Sequence, residues 1–342
     1  MKIIVDAMGG DNAPQAVVQG ALDAHKTLGV DILLVGRAAD ILKCVEACGE
    51  TTLPKGVEIR DASEVVEICD DPATAFKVKK DSSLTVGLNL LKEGQGDSFV
   101  SAGSTGALLA GATLVVKRIR GLRRAAMGPV IPVFGGRAVL CDCGANAECT
   151  PEYLLQFAYL GSFYAKRVLG VENPRVGLLN IGAEETKGDT LRLETHALLK
   201  AAGEAGRINY IGSIEGNDAM MGEADVIVAD GFTGNVFLKS MEGAAKFMFK
   251  ELKKVFYSSA KTKIGAMLIK GDLESMKKLL DPSEVGGTAF LGISKPVIKA
   301  HGSSDRLAFR NAVRQAMEAA QNNSAEELET ALKQIAAAKE TA

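Results

Sequence analysis

Lys2-Ile-Ile-Val-Asp6-Ala-Met-Gly-Gly-Asp11-Asn-Ala-Pro14 is the stretch that decides the fold. Lys2–Asp6 is an apolar β-branched run of one strand's length, the glycines and small polar residues after it make a loop, and Gln15–Leu28 reads as a helix. The order returns at Ser98-Phe-Val-Ser101-Ala-Gly-Ser-Thr-Gly106, which runs into a helix over Ala107–Val116. Further strands are expected at Asp31–Val35, Val57–Asp61, Ala138–Asp142, Val176–Leu179 and Val226–Ala229, with helices near Ala38–Cys48 and from Asp71-Pro72 to Glu93. Gly286–Gly292 followed by Lys295–Lys299 reads as a late hairpin. Strands alternating with helices predict an α/β fold with a large, mostly parallel sheet covered on both faces, and the hairpin makes it mixed.

No fixed repeat and no low-complexity linker divides the chain, so residues 1–342 read as one α/β catalytic domain, with two intertwined subdomains as the alternative. A helical segment at about 237–280 is expected to protrude, and helices at 304–339 to close the chain, with Ser304–Asn322 as one and a Ser324/Glu327 capping box opening the last. Forty Lys+Arg against 42 Asp+Glu give a net charge of −2, which argues against a general nucleic-acid binder. The N-terminal strand lacks the apolar stretch of a signal peptide, and six cysteines then read as reduced thiols, so a cytoplasmic chain is expected. Cys141-x-Cys143 with Cys149 lacks the spacing of a zinc ribbon, and no metal is expected there. Ser98–Val116 carries no charge, but its polar, glycine-rich middle argues against a membrane span.

Five polar glycine loops leave the carboxyl ends of expected strands, where sheets of this class bind ligands, so they should gather along one edge. A loop whose amides open a helix favours an anion. Ser101, Gly103, Ser104, Thr105 and Gly106 form one such loop, and Asp230, Thr233, Gly234 and Asn235 form another. A plain tight turn explains either loop taken alone. Asp6 and Asp11 flank Gly9-Gly10 and read as ligands, loop braces or an Asx turn. Lys187 follows Glu184 and Glu185 in a strand-end loop, while His301 precedes Ser303, Ser304 and Asp305, which offer a helix cap. His25 and His196 fall within amphipathic helices and read as structural or exposed. The dinucleotide, P-loop and nucleophile-elbow patterns are absent. Lys117, Arg118, Arg120, Arg123 and Arg124 make either a solvated loop or a dock for an acidic protein or lipid. Ala260, Ile264, Met267 and Leu268 share one helical face among lysines, suited to a core, a dimer contact or a membrane surface.

Seven motifs occur in order between Met1 and about Asn322: Asp6-Ala-Met-Gly-Gly-Asp11, Ser101-Ala-Gly-Ser-Thr-Gly-Ala107, Asp142-Cys-Gly-Ala-Asn146, Asn180-Ile-Gly with Glu184-Glu-Thr-Lys-Gly188, Glu215-Gly-Asn217, Asp230-Gly-Phe-Thr-Gly-Asn235 and His301-Gly-Ser-Ser304. Together they resemble the PlsX family of bacterial phosphate acyltransferases. The resemblance implies a reaction of phospholipid synthesis, in which acyl-[acyl carrier protein] and inorganic phosphate give acyl phosphate and free carrier. It implies a three-layer α/β/α fold like that of isocitrate and isopropylmalate dehydrogenases, a homodimer, and no metal or organic cofactor. It also implies peripheral contact with an acidic membrane and a functional link to a membrane glycerol-3-phosphate acyltransferase.

For the site, the resemblance implies Lys187 as the cation anchoring phosphate or the oxyanion, and Asn235 as the donor orienting the thioester carbonyl. His301 would position phosphate or protonate the departing sulfur, and Ser104, Thr105 and the loop amides would complete the cradle. Asp6, Gly9, Gly10, Asp11, Asp142, Asn146, Asp230, Thr233, Gly234, Ser303 and Ser304 belong to the same substrate-binding loops, and the Lys117–Arg124 cations suit an acidic carrier protein. Two other readings stand beside this one: an enzyme of similar fold using acyl-CoA, and a non-catalytic scaffold for carrier protein or lipid. A dehydrogenase would need clustered Asp metal ligands and substrate-binding Arg, a set the sequence does not assemble.

Overall fold

The computed structural model describes residues 1–280, 284, 286–322, 325, 327–330 and 332–333. Its strands are β1 Lys2–Asp6, β2 Asp31–Gly36, β3 Val57–Asp61, β4 Ser98–Ser101, β5 Ala126–Gly128, β6 Val130–Val133, β7 Gly136–Cys141, β8 Arg175–Leu179, β9 Asn209–Ile214, β10 Val226–Val228, β11 Gly287–Leu291 and β12 Val297–Ala300. Seven of them form a sheet in the order β3-β2-β1-β4-β12-β11-β5, and five form a second in the order β6-β7-β10-β8-β9. In the first sheet β3, β2, β1, β4 and β12 run parallel, while β11 is antiparallel to both β12 and β5. In the second, only β6 is antiparallel to its neighbour. The central parallel strands are apolar along their length because both faces are covered, and Ile3, Ile4, Val5, Ile32, Leu34 and Val100 are all fully buried.

The α/β class and the late hairpin stand as the sequence reading has them, but the strands divide between two sheets rather than one. The division falls at Pro129, between β5 and β6. Proline has no N–H to give a ladder, so the chain leaves the edge of one sheet there and starts the edge of the other. The helix Pro151–Val168 packs against β7 and β10 of the second sheet and β11 of the first, so one continuous core joins them. The helix Arg306–Gln321 packs on Gln15–Leu28 and on β4, β11 and β12, beneath the loops that leave β1, β4 and β12. It begins at Asp305, whose Oδ1 accepts the Ala308 amide at 2.8 Å.

Ser98–Val116 resolves into β4, a loop, the helix Thr105–Gly111 and a π-helical turn Ala112–Lys117. Among the described residues no helix is long and apolar enough to cross a membrane. All six cysteines are free thiols. The capping box expected at Ser324, and the helix expected over 334–339, lie outside the described residues.

Candidate active site

The loops after β1, β4 and β12 meet at the carboxyl edge of the first sheet. Asp6 ends β1 and is 2% exposed; its Oδ2 accepts the Ser101 hydroxyl at 2.6 Å and its Oδ1 the Met8 amide at 3.2 Å. Burial pushes this carboxyl above the ordinary carboxylate range, and the bonds from Ser101, Ser83, Met8 and Gly9 offset part of the rise. Gly9 has to be glycine, since a Cβ there would lie 2.6 Å from Asp6 Oδ2 and 2.7 Å from the Gly103 nitrogen. Asp11 donates its amide to the Gly302 carbonyl at 2.8 Å, and the Asn12 side-chain amide reaches the Ser303 carbonyl at 3.1 Å and that of Ser304 at 3.2 Å. The β1 loop therefore braces the His301–Ser304 loop through one backbone bond and two from the Asn12 side chain.

Asp142 is the corresponding residue of the second sheet, just past β7 and fully buried. Its Oδ1 accepts the amides of Met127 and Cys143, each at 2.7 Å, and its Oδ2 the amide of Asn146, also at 2.7 Å. Burial raises this carboxyl too, against the pull of those bonds. Asn146 ties the loop to Ala125 through its side chain, at 2.8 Å, and to Gly231 through its carbonyl, also at 2.8 Å. Asp230 caps the long helix Gly231–Phe256, accepting the Thr233 amide at 2.9 Å and its hydroxyl at 2.7 Å. Arg192 completes the corner: it pairs with Asp230 and donates to Thr233 Oγ1 at 2.7 Å. Asp142, Asn146, Asp230 and Thr233 thus have their polar groups engaged in holding the loops, with Arg192 as a brace that the sequence reading missed.

A cleft of about 460 Å³ opens between the two sets of loops. Its lining mixes polar residues, Thr105, Asn235, Lys239, Glu242, Lys299 and His301, with apolar ones, Met127, Val130, Ile131, Leu238, Met241 and Ala245, and Lys239 is paired with Glu242 at 3.0 Å. Of the expected anion-loop donors, Ser101 is turned to Asp6 and Ser104 caps the helix at Thr105, accepting the Ala107 amide at 3.5 Å, so Thr105 is the side chain that lines the cleft. Asn235 is exposed, and its amide makes no hydrogen bond among the described residues. The Ser303 amide donates to His301 Nδ1 at 3.3 Å. An amide can only donate, so Nδ1 accepts and the neutral ring carries its proton on Nε2. Burial, then the charges of Lys239 and Lys299, hold the imidazole below its usual range, leaving it neutral at pH 7 and a donor through Nε2. Ser304 Oγ is buried with no partner among the described residues.

Lys187 does not line this cleft. Its side chain is exposed, and its loop is held by the Asn180 amide on the Lys187 carbonyl at 3.0 Å. Lys117, Arg118, Arg120, Arg123 and Arg124 also lie outside the lining. They occupy the surface segment before β5, where Arg124 stands 5.7 Å over the Tyr153 ring. No residue of the helix Ala260–Leu268 is buried, and Ile264, Met267 and Leu268 are 59%, 72% and 82% exposed. Lys299 is the cleft residue that the sequence reading passed over. It sits in β12 between apolar neighbours and is 7% exposed, and a lysine inside Val297-Ile-Lys-Ala300 was the available signal.

The family model described as "Fatty acid synthesis protein" matches residues 1–327. A phosphate acyltransferase of Clostridium acetobutylicum is 44% identical over 336 residues, covering 98% of this chain and all of that relative. One of Alkaliphilus oremlandii is 47% identical over 317 residues, 93% of each chain. Among solved structures, a phosphotransacetylase from Streptococcus pyogenes superposes with a TM-score of 0.65 at 18% identity, over 94% of both chains. A 4-hydroxythreonine-4-phosphate dehydrogenase from Klebsiella pneumoniae gives 0.56 at 13% identity, over 94% of this chain and 98% of that one. These two show the fold, an α/β sandwich of the dehydrogenase-like type. With the family model spanning nearly the whole chain and such relatives at 44% and 47% identity, the chain belongs to the PlsX family of phosphate acyltransferases.

Proposed function

We propose that the cleft transfers an acyl group from the thioester of an acyl carrier protein to inorganic phosphate. An oxygen of hydrogen phosphate attacks the carbonyl carbon, the C–S bond breaks, and the phosphate proton ends on the departing sulfur. The observation that carries the reading is the mixed lining of the cleft, where Lys299, His301, Asn235 and Thr105 share one cavity with apolar side chains. An acyl chain fits the wall of Met127, Val130, Ile131, Leu238 and Met241, which leaves its thioester at the donors of Asn235 and His301. Phosphate is itself the nucleophile, so positioning and oxyanion stabilisation suffice, without a covalent enzyme intermediate. Burial pushes the thiol of Cys143, the cysteine in the lining, up to about 12, which suits this reading because the thiol stays protonated.

Lys187 is a second cation for the oxyanion or phosphate. It makes no ion pair among the described residues and is free to turn toward the helix Gly231–Phe256, to which Arg192 joins its side of the sheet. The carrier's acidic surface docks on Lys117–Arg124, the segment that leads into Met127 at the cleft wall. Formation of acyl phosphate from long-chain acyl carrier protein and phosphate tests the whole reading, and the same assay with acyl-CoA separates the two donors.

The exposed face of Ala260–Leu268 supports a further part of the proposal, in which the protein, as a homodimer, rests on acidic membrane and passes its acyl phosphate to a membrane glycerol-3-phosphate acyltransferase. Met267→Glu should weaken flotation with anionic liposomes about tenfold or more, since burying a methionine is worth roughly 1.5–3 kcal/mol. A variant that stays dimeric and still floats like wild type contradicts the membrane assignment.

A further inference from the structure

Lys299 is the only lysine in the buried set of the described residues. Its register partner on β4 is Ser101, whose hydroxyl goes to Asp6 at the end of β1. Three adjacent parallel strands, β1, β4 and β12, thus end in a polar row of Asp6, Ser101 and Lys299, at the sheet edge where this class of fold binds ligands. Lys299 Nζ donates to the Ala102 carbonyl at 3.3 Å and to the Ala300 carbonyl. An ammonium has three N–H bonds, so one donor remains for a ligand in the cleft that this residue lines. Burial of such a charge is costly unless something negative shares the site. Asp6 and Asp11 lie within electrostatic reach, but burial still holds the amine down at about 8. The two carboxylates therefore leave the charge incompletely compensated.

We propose that Lys299 is the cation that holds inorganic phosphate in the cleft, whose lining it shares with His301, Gly302 and Thr105. The assignment rests on the phosphate acyl transfer reading and adds to it a residue that touches the nucleophile. It also separates two duties, with phosphate held from the sheet edge by Lys299 and the thioester oxygen met from the long helix by Asn235. A dianion bound beside an otherwise under-compensated buried ammonium gains a charge-assisted hydrogen bond, the stronger kind.

The test uses the full chain with Lys299→Met, and with Lys299→Gln, which keeps a donor for the two carbonyls and removes only the charge. KM for phosphate and KM for acyl carrier protein are measured separately, and melting temperature is followed against inorganic phosphate concentration. Both variants should raise KM for phosphate about 10–100-fold, the worth of one hydrogen bond to a charged group. KM for the carrier should stay within about twofold, and the phosphate-dependent rise in melting temperature should vanish. A Lys299→Gln protein that melts like wild type without phosphate and keeps its KM for phosphate overturns the proposal. So does a variant that loses stability alone, because Lys299 is then only a counter-ion for Asp6. If wild type makes no acyl phosphate but phosphate still raises its melting temperature through Lys299, the anion site stands and the acyl-transfer reading falls.

Discussion

Asn235→Ala should lower kcat by about 10²–10³-fold, the measured worth of one preorganised oxyanion donor, and leave KM for phosphate nearly unchanged. The argument starts from the helix Gly231–Phe256, whose first turn is fixed twice, by the Asp230 cap and by Arg192 on Asp230 and Thr233. Asn235 follows that turn, and its amide spends no hydrogen bond on the described protein. The side chain is exposed at the cleft wall, so alanine removes no packing and the melting temperature should stay within a degree or two. A loss in kcat without a loss in stability separates a catalytic donor from a structural residue. Unchanged kcat would remove Asn235 from the mechanism and leave His301 as the remaining donor.

Gly234→Ala should damage both stability and activity. A Cβ at this position would lie 2.0 Å from the carbonyl oxygen of Asp142 and 3.1 Å from its carbonyl carbon. Both are backbone atoms, in a loop held by three bonds to the Asp142 carboxylate at 2.7 Å, so neither can step aside cheaply. Overpacking of this kind costs about 1–3 kcal/mol, and this contact should reach the upper end. The helix start must move by an appreciable fraction of an ångström, carrying Asn235 with it, and a misplacement of about 1 Å costs on the order of 10² in rate. Gly243 on the same helix is the control, because a Cβ there meets nothing within 4 Å. Gly243→Ala should leave activity intact and stabilise by about 0.5–1 kcal/mol, the helix-propensity gain. Equal effects at the two positions would contradict the packing argument.

The parts of the fold legible in the sequence are those where one physical signal acts alone. β1 and β4 have the bounds the apolar runs imply, because buried parallel strands have to be apolar on both faces, while the edge strand β3 has its expected bounds through the alternation of Val57 and Ile59 with polar residues. The strands that escaped were β5, β6 and β9, and each lies at the edge of a sheet. β5 and β6 are split by Pro129, β6 contains Pro132, and β9 carries Gly212 at φ 107 beside a register shift. Proline and glycine read as loop signals, and only their place at a sheet edge makes them tolerable in a strand.

The site shows the same limit. Thr105, Asn235 and His301 stood out because glycine loops at strand ends advertise themselves, and the fold brings them to one cleft. Lys299 was hidden inside β12, where a lysine among Val297, Ile298 and Ala300 reads as one solvated position of an otherwise apolar strand. Arg192 was equally silent, as a helix cation whose partners lie 38 and 41 residues ahead. Lys187 was legible through its loop, but that loop does not line the cleft.

The central claim is that this cleft joins an acyl thioester to inorganic phosphate. Its most direct test is to incubate the purified chain with long-chain acyl carrier protein and phosphate, trap the product with hydroxylamine, and measure hydroxamate and free carrier thiol together. The account predicts hydroxamate and thiol released one for one, only when phosphate is present, and lost in Asn235→Ala. Thiol release without hydroxamate, or no turnover with either carrier-bound or CoA-bound acyl groups, would contradict it.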